Sequence, residues 1–249
     1  MQGYWTLTRR ELAGFFLSLR GYVMIAAIAF LIGFVFKVLI KTLGSDPSPM
    51  PVTELFYSTY LFWFILLLPA PVITMRLFAL EKFSGTFETL MTTPVSDVQV
   101  VAAKFTAAVV FYLVMWFPLL ACILIVKHYT NDPAAFDAGV IGTPFLGIFL
   151  LGCVFIAIGC FASALTRNQM TAAMVSLLLC VSLFMLSYLA ERLPAADWKA
   201  QVFSFFGLPD QMHDFGRGVV DTRPVVLYLS LTFFFLFLTL RVLGTRRWK

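Results

Sequence analysis

TPFLGIFLLGCVFIAIGCFASAL, residues 143–165, has no charged side chain and no alternation of polar with apolar residues. A helix needs about 20 apolar residues to cross the hydrocarbon core of a bilayer. A strand of a membrane barrel would instead alternate over about 10 residues. This stretch is therefore expected to be a spanning helix. Working outward, five more runs of similar character lie at 21–40, 55–76, 105–126, 170–190 and 225–243. The expected fold is an all-α integral membrane protein with six transmembrane helices, a single domain over residues 1–249. Composition agrees: 61% of residues are hydrophobic and 12% charged, against about 25% charged in an ordinary soluble domain. The mean hydropathy is +0.91.

Small residues punctuate the fourth span. Gly159 and Ser163 form a small-xxx-small pair, which suits close helix packing. Arg167, Asn168 and Gln169 leave only a tight turn before the fifth span, so these two helices are expected to be antiparallel neighbours. With the N- and C-termini in the cytoplasm, the inner segments hold 11 of the 18 Lys and Arg residues, among them Arg9, Arg10, Arg20, Arg76 and Lys104. The positive-inside rule favours that orientation. The net charge of +5 is then a topology signal, with no nucleic-acid partner implied. Leu12, Phe15, Phe16 and Leu19 share an apolar face while Arg9, Arg10 and Glu11 are polar, which predicts an interfacial helix over 4–20. The A-x-A sequence nearest the N-terminus, Ala27-Ile-Ala29, lies inside the first apolar run, so signal cleavage is not expected. Pro69 and Pro71 remove backbone donors near the inner end of the second span and predict a hinge there; Pro118 predicts a kink in the third. Residues 191–224 mix charges with apolar patches and are expected to form short re-entrant helices over the outer face.

Between the second and third spans lies the most polar run of its length, EKFSGTFETLMTTPVSDVQVVAAK, residues 81–104. Phe83, Phe87, Leu90 and Met91 recur at helical spacing among Glu81, Lys82, Thr86 and Glu88. Ser84 can cap such a helix at its start and Pro94 ends it. A short amphipathic helix, about 81–94, is expected to meet a partner in water.

The chain shows no energy source or catalytic centre of its own. No Gly-Lys dipeptide occurs, so a phosphate-cradling GxxxxGK[ST] loop is impossible. His128 and His213 stand in separate loops with no metal-ligand spacing. Cys122, Cys153, Cys160 and Cys180 all fall within spans; none forms a CxxC pair, and Cys153 and Cys160, two turns apart on one helix, are too far apart for a disulfide. Few charges lie deep in the spans, which disfavours an ion-coupled transporter. Two other readings stay open: a membrane-embedded enzyme using outer-loop acids such as Asp210 and Asp214, and a passive channel or scaffold.

MRLFALEKFSGTFETLMTTPVSDVQVVAAKF, residues 75–105, resembles the segment after the second span of ABC type-2 (exporter-like) permeases, through Glu81, Lys82, Gly85, Thr86, Glu88, Leu90, Pro94 and Lys104-Phe105. Two further stretches are similar to the gliding-motility branch of that family: DAGVIGTPFLGIFLLGCVFIAIGCFASALTRNQMTAA, and HDFGRGVVDTRPVVLYLSLTFFFLFLTLRVL through Arg246-Arg247-Trp248. Leu80 and Phe83 depart from the family pattern, being more apolar. The resemblance implies a permease without its own ATPase site and with no cofactor on this chain. ATP and Mg would reside on a separate cytosolic ABC ATPase, in two copies, bound to a homodimer of permeases in the bacterial inner membrane. It implies that Glu81, Lys82, Phe83, Gly85, Thr86, Phe87, Glu88, Leu90 and Pro94 form the coupling helix. The gliding branch adds an accessory membrane protein with a large outer domain.

Overall fold

The computed structural model describes residues 2–45, 52–86, 95–130, 138–192 and 206–244. All regular structure among them is helical, and six stretches are long and apolar enough to cross a membrane: Leu19–Lys41, Tyr60–Ser84, Asp97–His128, Gly142–Leu165, Gln169–Ser187 and Thr222–Gly244.

In chain order, α1 (Gln2–Phe16) leads through a short elbow into α2 (Leu19–Ser45). The expected single helix over 4–20 thus ends early. The Ser18 hydroxyl donates to the Phe15 carbonyl and accepts from the Gly21 amide. A Cβ on Gly21 would stand 2.1 Å from the Phe15 carbonyl oxygen, so this bend requires glycine. Leu19 starts α2 and is exposed, rather than sharing the buried face of α1.

The second span is a chain of short helices: α3 (Val52–Ser58), α4 (Tyr60–Leu67), α5 (Pro69–Thr74) and α6 (Ala79–Ser84). Thr59 is extended and interrupts α3 from α4, with its hydroxyl bound back to Leu55. Leu68, just before Pro69, keeps helical torsions of φ −67 and ψ −38. The prolines therefore interrupt the hydrogen-bond ladder without reversing the chain.

The third span begins earlier than its hydropathy suggests. A reciprocal capping box between Ser96 and Gln99 starts α7 (Asp97–Met115), well before the apolar run at 105. The chain bends at Trp116, before Pro118, and continues as α8 (Phe117–Thr130). Then come α9 (Ala138–Leu165), α10 (Gln169–Arg192), α11 (Leu208–Gly216) and α12 (Thr222–Gly244).

α9 is the axis of the molecule: it packs against α5, α7, α10, α11 and α12, and 78% of its spanning window is buried, against 17% for α12. Three glycines bring different neighbours close. A Cβ on Gly147 would meet Met212 and Phe215 of α11, one on Gly152 the ring of Tyr112 of α7, and one on Gly159 the side chain of Thr74 of α5. All four cysteines are free. In the region expected to hold short re-entrant helices, α11 is described and residues 193–205 lie outside the described set. α11 is held at one end of the bundle by Thr143 donating to the Phe215 carbonyl, 2.7 Å, and by Tyr228 donating to Gln211. α1 and α6 lie at the opposite end.

Candidate functional site

Four charges from three helices meet where α1, α6 and α7 come together. The Lys104 Nζ of α7 lies 2.8 Å from Glu81 Oε1 of α6 and 3.0 Å from Glu11 Oε1 of α1. Arg10 closes the ring, its Nη2 2.9 Å from Glu11 and 3.4 Å from Glu81. The Lys104 side chain is only 3% exposed and both carboxylates 17%, so this is a mostly desolvated cluster, whereas Arg10 is 55% exposed and forms its wet rim. The Phe78 ring lies 5.5 Å from Nζ and covers the cluster from below. Buried charges persist only when paired in this way.

The apolar face of α1 completes the junction. Phe15 stacks on Phe111 of α7 at 4.9 Å and Phe16 meets the same ring edge-on at 5.4 Å. Tyr4 and Thr106 hydroxyls are 2.9 Å apart. Helix α1 is thus docked on α7 by both rings and charges, more firmly than an amphipathic helix resting on a lipid surface.

Burial pushes the Glu11 carboxyl upward, but Lys104 and Arg10 together outweigh it and hold it below its ordinary range. With the folded value depressed, its contribution is complete above the ordinary carboxylate pKa of about 4.3 and fades as pH falls through the depressed value. The melting temperature in detergent is therefore expected to be insensitive to this group between pH 8 and 5 (~neutral range) and to drop below about pH 4. Glu11→Gln is expected to lower the neutral-pH value and to shrink that acid drop; an undiminished drop in the variant would exclude Glu11 as its source.

Immediately beside the ion cluster, α6 is gripped by the end of α9. The Ser163 hydroxyl oxygen accepts from the amides of Phe78 and Ala79, both at 3.1 Å, satisfying donors at the start of α6. The same hydroxyl donates to the Met75 carbonyl. Lys82 donates to the Ala164 carbonyl, placing a cation at the C-terminal end of α9, where the helix dipole favours one. Gly159 and Ser163 thus contact α5 and the start of α6, one by close approach and one by hydrogen bonds. Pro69 and Pro71 are buried at the head of α5.

Several expected positions turn out differently. Ser84 does not start a helix; it is the last residue of α6, which Gly85 ends with φ 74, in the left-handed region. A single helix over 81–94 is therefore interrupted at Gly85. Glu81 and Lys82, expected to face a partner, turn inward to Lys104 and Ala164. Phe83 is the opposite case: its ring is 77% exposed. Thr86 is exposed, and its hydroxyl lies 2.8 Å from that of Ser84. Phe87, Glu88, Leu90 and Pro94 lie outside the described residues. At the far end, Asp210 and His213 border a cavity of about 300 Å³ with Tyr57, Tyr60 and Trp63, while Asp214 is exposed. Among the described residues no group of His, Cys, Asp and Glu could hold a metal ion.

The sequence reading missed the roles of Glu11 and Lys104. A signal was present, since each acid, Glu11 and Glu81, has a basic neighbour in sequence, Arg10 and Lys82.

No curated protein matches the chain. The family model described as "ABC-2 family transporter protein" matches residues 14–196, close to three quarters of the chain. That span includes the α1–α2 elbow, the ion cluster's Glu81 and Lys104, and the whole of α9. With its six apolar helices, this multi-pass membrane protein belongs to the ABC-2 family, as a transporter permease subunit.

Proposed function

We propose that this permease couples ATP hydrolysis by a separate cytosolic ABC ATPase to export, or to force transmission, across a bacterial inner membrane. The end bearing α1 and α6 faces the cytoplasm, together with both termini, in keeping with the excess of Lys and Arg in those segments. Two copies of the ATPase act on a permease homodimer, and ATP and Mg belong to the ATPase. The contact is centred on the segment from Phe83 to Pro94. The observation that carries this reading is the exposed Phe83 ring near the end of a helix whose first amides are held by Ser163 and whose Glu81 and Lys82 side chains are bound to Lys104 and Ala164.

The arrangement suits rigid-body transmission. A push on the Phe83 turn reaches α9 through Ser163 and Lys82, and α1 and α7 through Glu81. Pro69 and Pro71 supply the place where α5 can change its angle to α4. Similarity over 137–173 and 213–243 supports a gliding-type system with an accessory membrane protein that has a large outer domain.

Thr86→Cys or Thr89→Cys is expected to crosslink to a co-expressed ABC ATPase carrying a cysteine in its permease-facing groove. Copurification of the two proteins with no crosslink from either position, under conditions where a control pair reacts, would remove this segment from the interface.

A further inference from the structure

A second feature of the same end of the bundle is independent of ATPase coupling. The elbow between α1 and α2 stands away from α5 and the turn before α6, leaving a cleft of about 470 Å³. That is within the range of about 300–1,000 Å³ occupied by small-molecule sites. Its walls are apolar: Phe15, Val23 and Met24 on one side, Val72 and Leu80 on the other. Two guanidinium groups, Arg20 from α2 and Arg76 from the turn, line it. Both bring a positive charge to the same cleft, and neither has an acid partner among the described residues. The Arg76 Nε is buried with no hydrogen-bond acceptor.

Like charges brought together over apolar walls lack a counter-ion. Glu11 also borders the cleft, but its carboxylate is already shared between Lys104 and Arg10. It cannot neutralise two more cations. The missing component has an anionic head to bridge the arginines and apolar chains to follow the walls. Basic pockets between helices at a membrane surface select such headgroups, and guanidinium forks match phosphate oxygens.

We infer that the cleft between the α1–α2 elbow and the α5–α6 turn binds one anionic phospholipid, its phosphate between Arg20 and Arg76 and its chains along Val23, Met24 and Val72. The lipid fills the gap between the docked α1 and the hinge helix α5, so its occupancy sets how freely these two elements move past each other.

The full chain is reconstituted into phosphatidylcholine vesicles containing a trace of photoactivatable phosphatidylglycerol or, separately, photoactivatable phosphatidylcholine with identical chains. Labelling of peptides spanning 14–24 and 72–80 is expected to favour the anionic probe by about thirtyfold, from two basic contacts. Unlabelled phosphatidylglycerol should compete, whereas soluble glycerol phosphate should not. Arg20→Gln with Arg76→Gln should abolish the preference, and Arg20→Lys with Arg76→Lys should retain most of it. Met24→Trp, which narrows the cleft and leaves both arginines, should reduce labelling by either probe and guards against misfolding of the charge variants. Equal labelling by the two probes, or a preference that survives loss of both charges, overturns the inference. Competition by glycerol phosphate would reveal a soluble-anion site instead. Absence of labelling from both probes would mean that protein, such as a second copy, covers the cleft.

Discussion

Lys104→Met is expected to destabilise the permease by about 3 kcal/mol, the lower end of the cost of breaking a buried ion pair, because both acids keep some contact with water. The lysine is 3% exposed and is the shared cation of Glu11 and Glu81. Removing it leaves two carboxylates close together, with only Arg10 on the solvent side. Their repulsion and desolvation, rather than loss of attraction alone, produce the effect. Replacing Lys104, Glu11 and Glu81 together by Met, Gln and Gln is therefore expected to recover much of the loss. Arg10→Gln should change stability by less than about 1 kcal/mol, since its guanidinium is screened. Melting temperature in detergent and recovery of monodisperse protein on size exclusion read all three variants. A mild Lys104→Met, or a triple variant worse than the single one, would show that the cluster is not a desolvated unit.

Gly159→Ala is the second large effect. The added Cβ would lie 2.0 Å from Thr74 Oγ1 and 2.7 Å from Thr74 Cβ. Thr74 cannot swing aside at no cost, because its hydroxyl donates to the Ala70 carbonyl at 2.7 Å and both residues are fully buried. The helices α5 and α9 must separate instead, and overpacking of this kind costs about 1–3 kcal/mol or more. Thr74→Ala should relieve the variant only in part, since the threonine Cβ contact remains. Gly33→Ala on α2 is the matched control. Nothing lies within 4 Å of its added Cβ, and a helical alanine is favoured over glycine by about 1 kcal/mol. If both substitutions proved equally harmless, the α5–α9 approach would be looser than described.

The spans were readable because lipid-length apolar runs dominate the sequence. The fourth was clearest, with small residues at Gly147, Gly152 and Gly159, although only the structure shows that each faces a different neighbour. The start of α7 was hidden because Asp97 and Lys104 look like loop charges in a hydropathy window. The Ser96/Gln99 capping box was the local sign that helix begins there. Lys104 is buried by charges distant in sequence, Glu11 and Glu81, and no periodicity within one helix reveals such a pairing. The break at Thr59 has no proline to announce it. Gly85 was visible as a special position, but glycine serves close approach and helix termination alike; its left-handed torsion decides for termination. The outward aspect of this region then rests on the exposed run from Phe83 to Thr86, while Glu81 and Lys82 are half-buried and bound within the chain.

The Arg10, Glu11, Glu81 and Lys104 cluster contains two positive and two negative charges. Seen from the hydrocarbon, it carries no net charge. A helix end bearing one bare ion resists displacement toward lipid, because solvation energy climbs steeply with depth. A neutral quartet presents only short-range multipoles, which fade within a few ångströms. As long as α1, α6 and α7 travel together, the quartet itself adds nothing to that gradient. Relative sliding of one helix, in contrast, would split the quartet into opposite monopoles and be strongly opposed. The same four side chains thus make collective displacement easy and independent displacement hard.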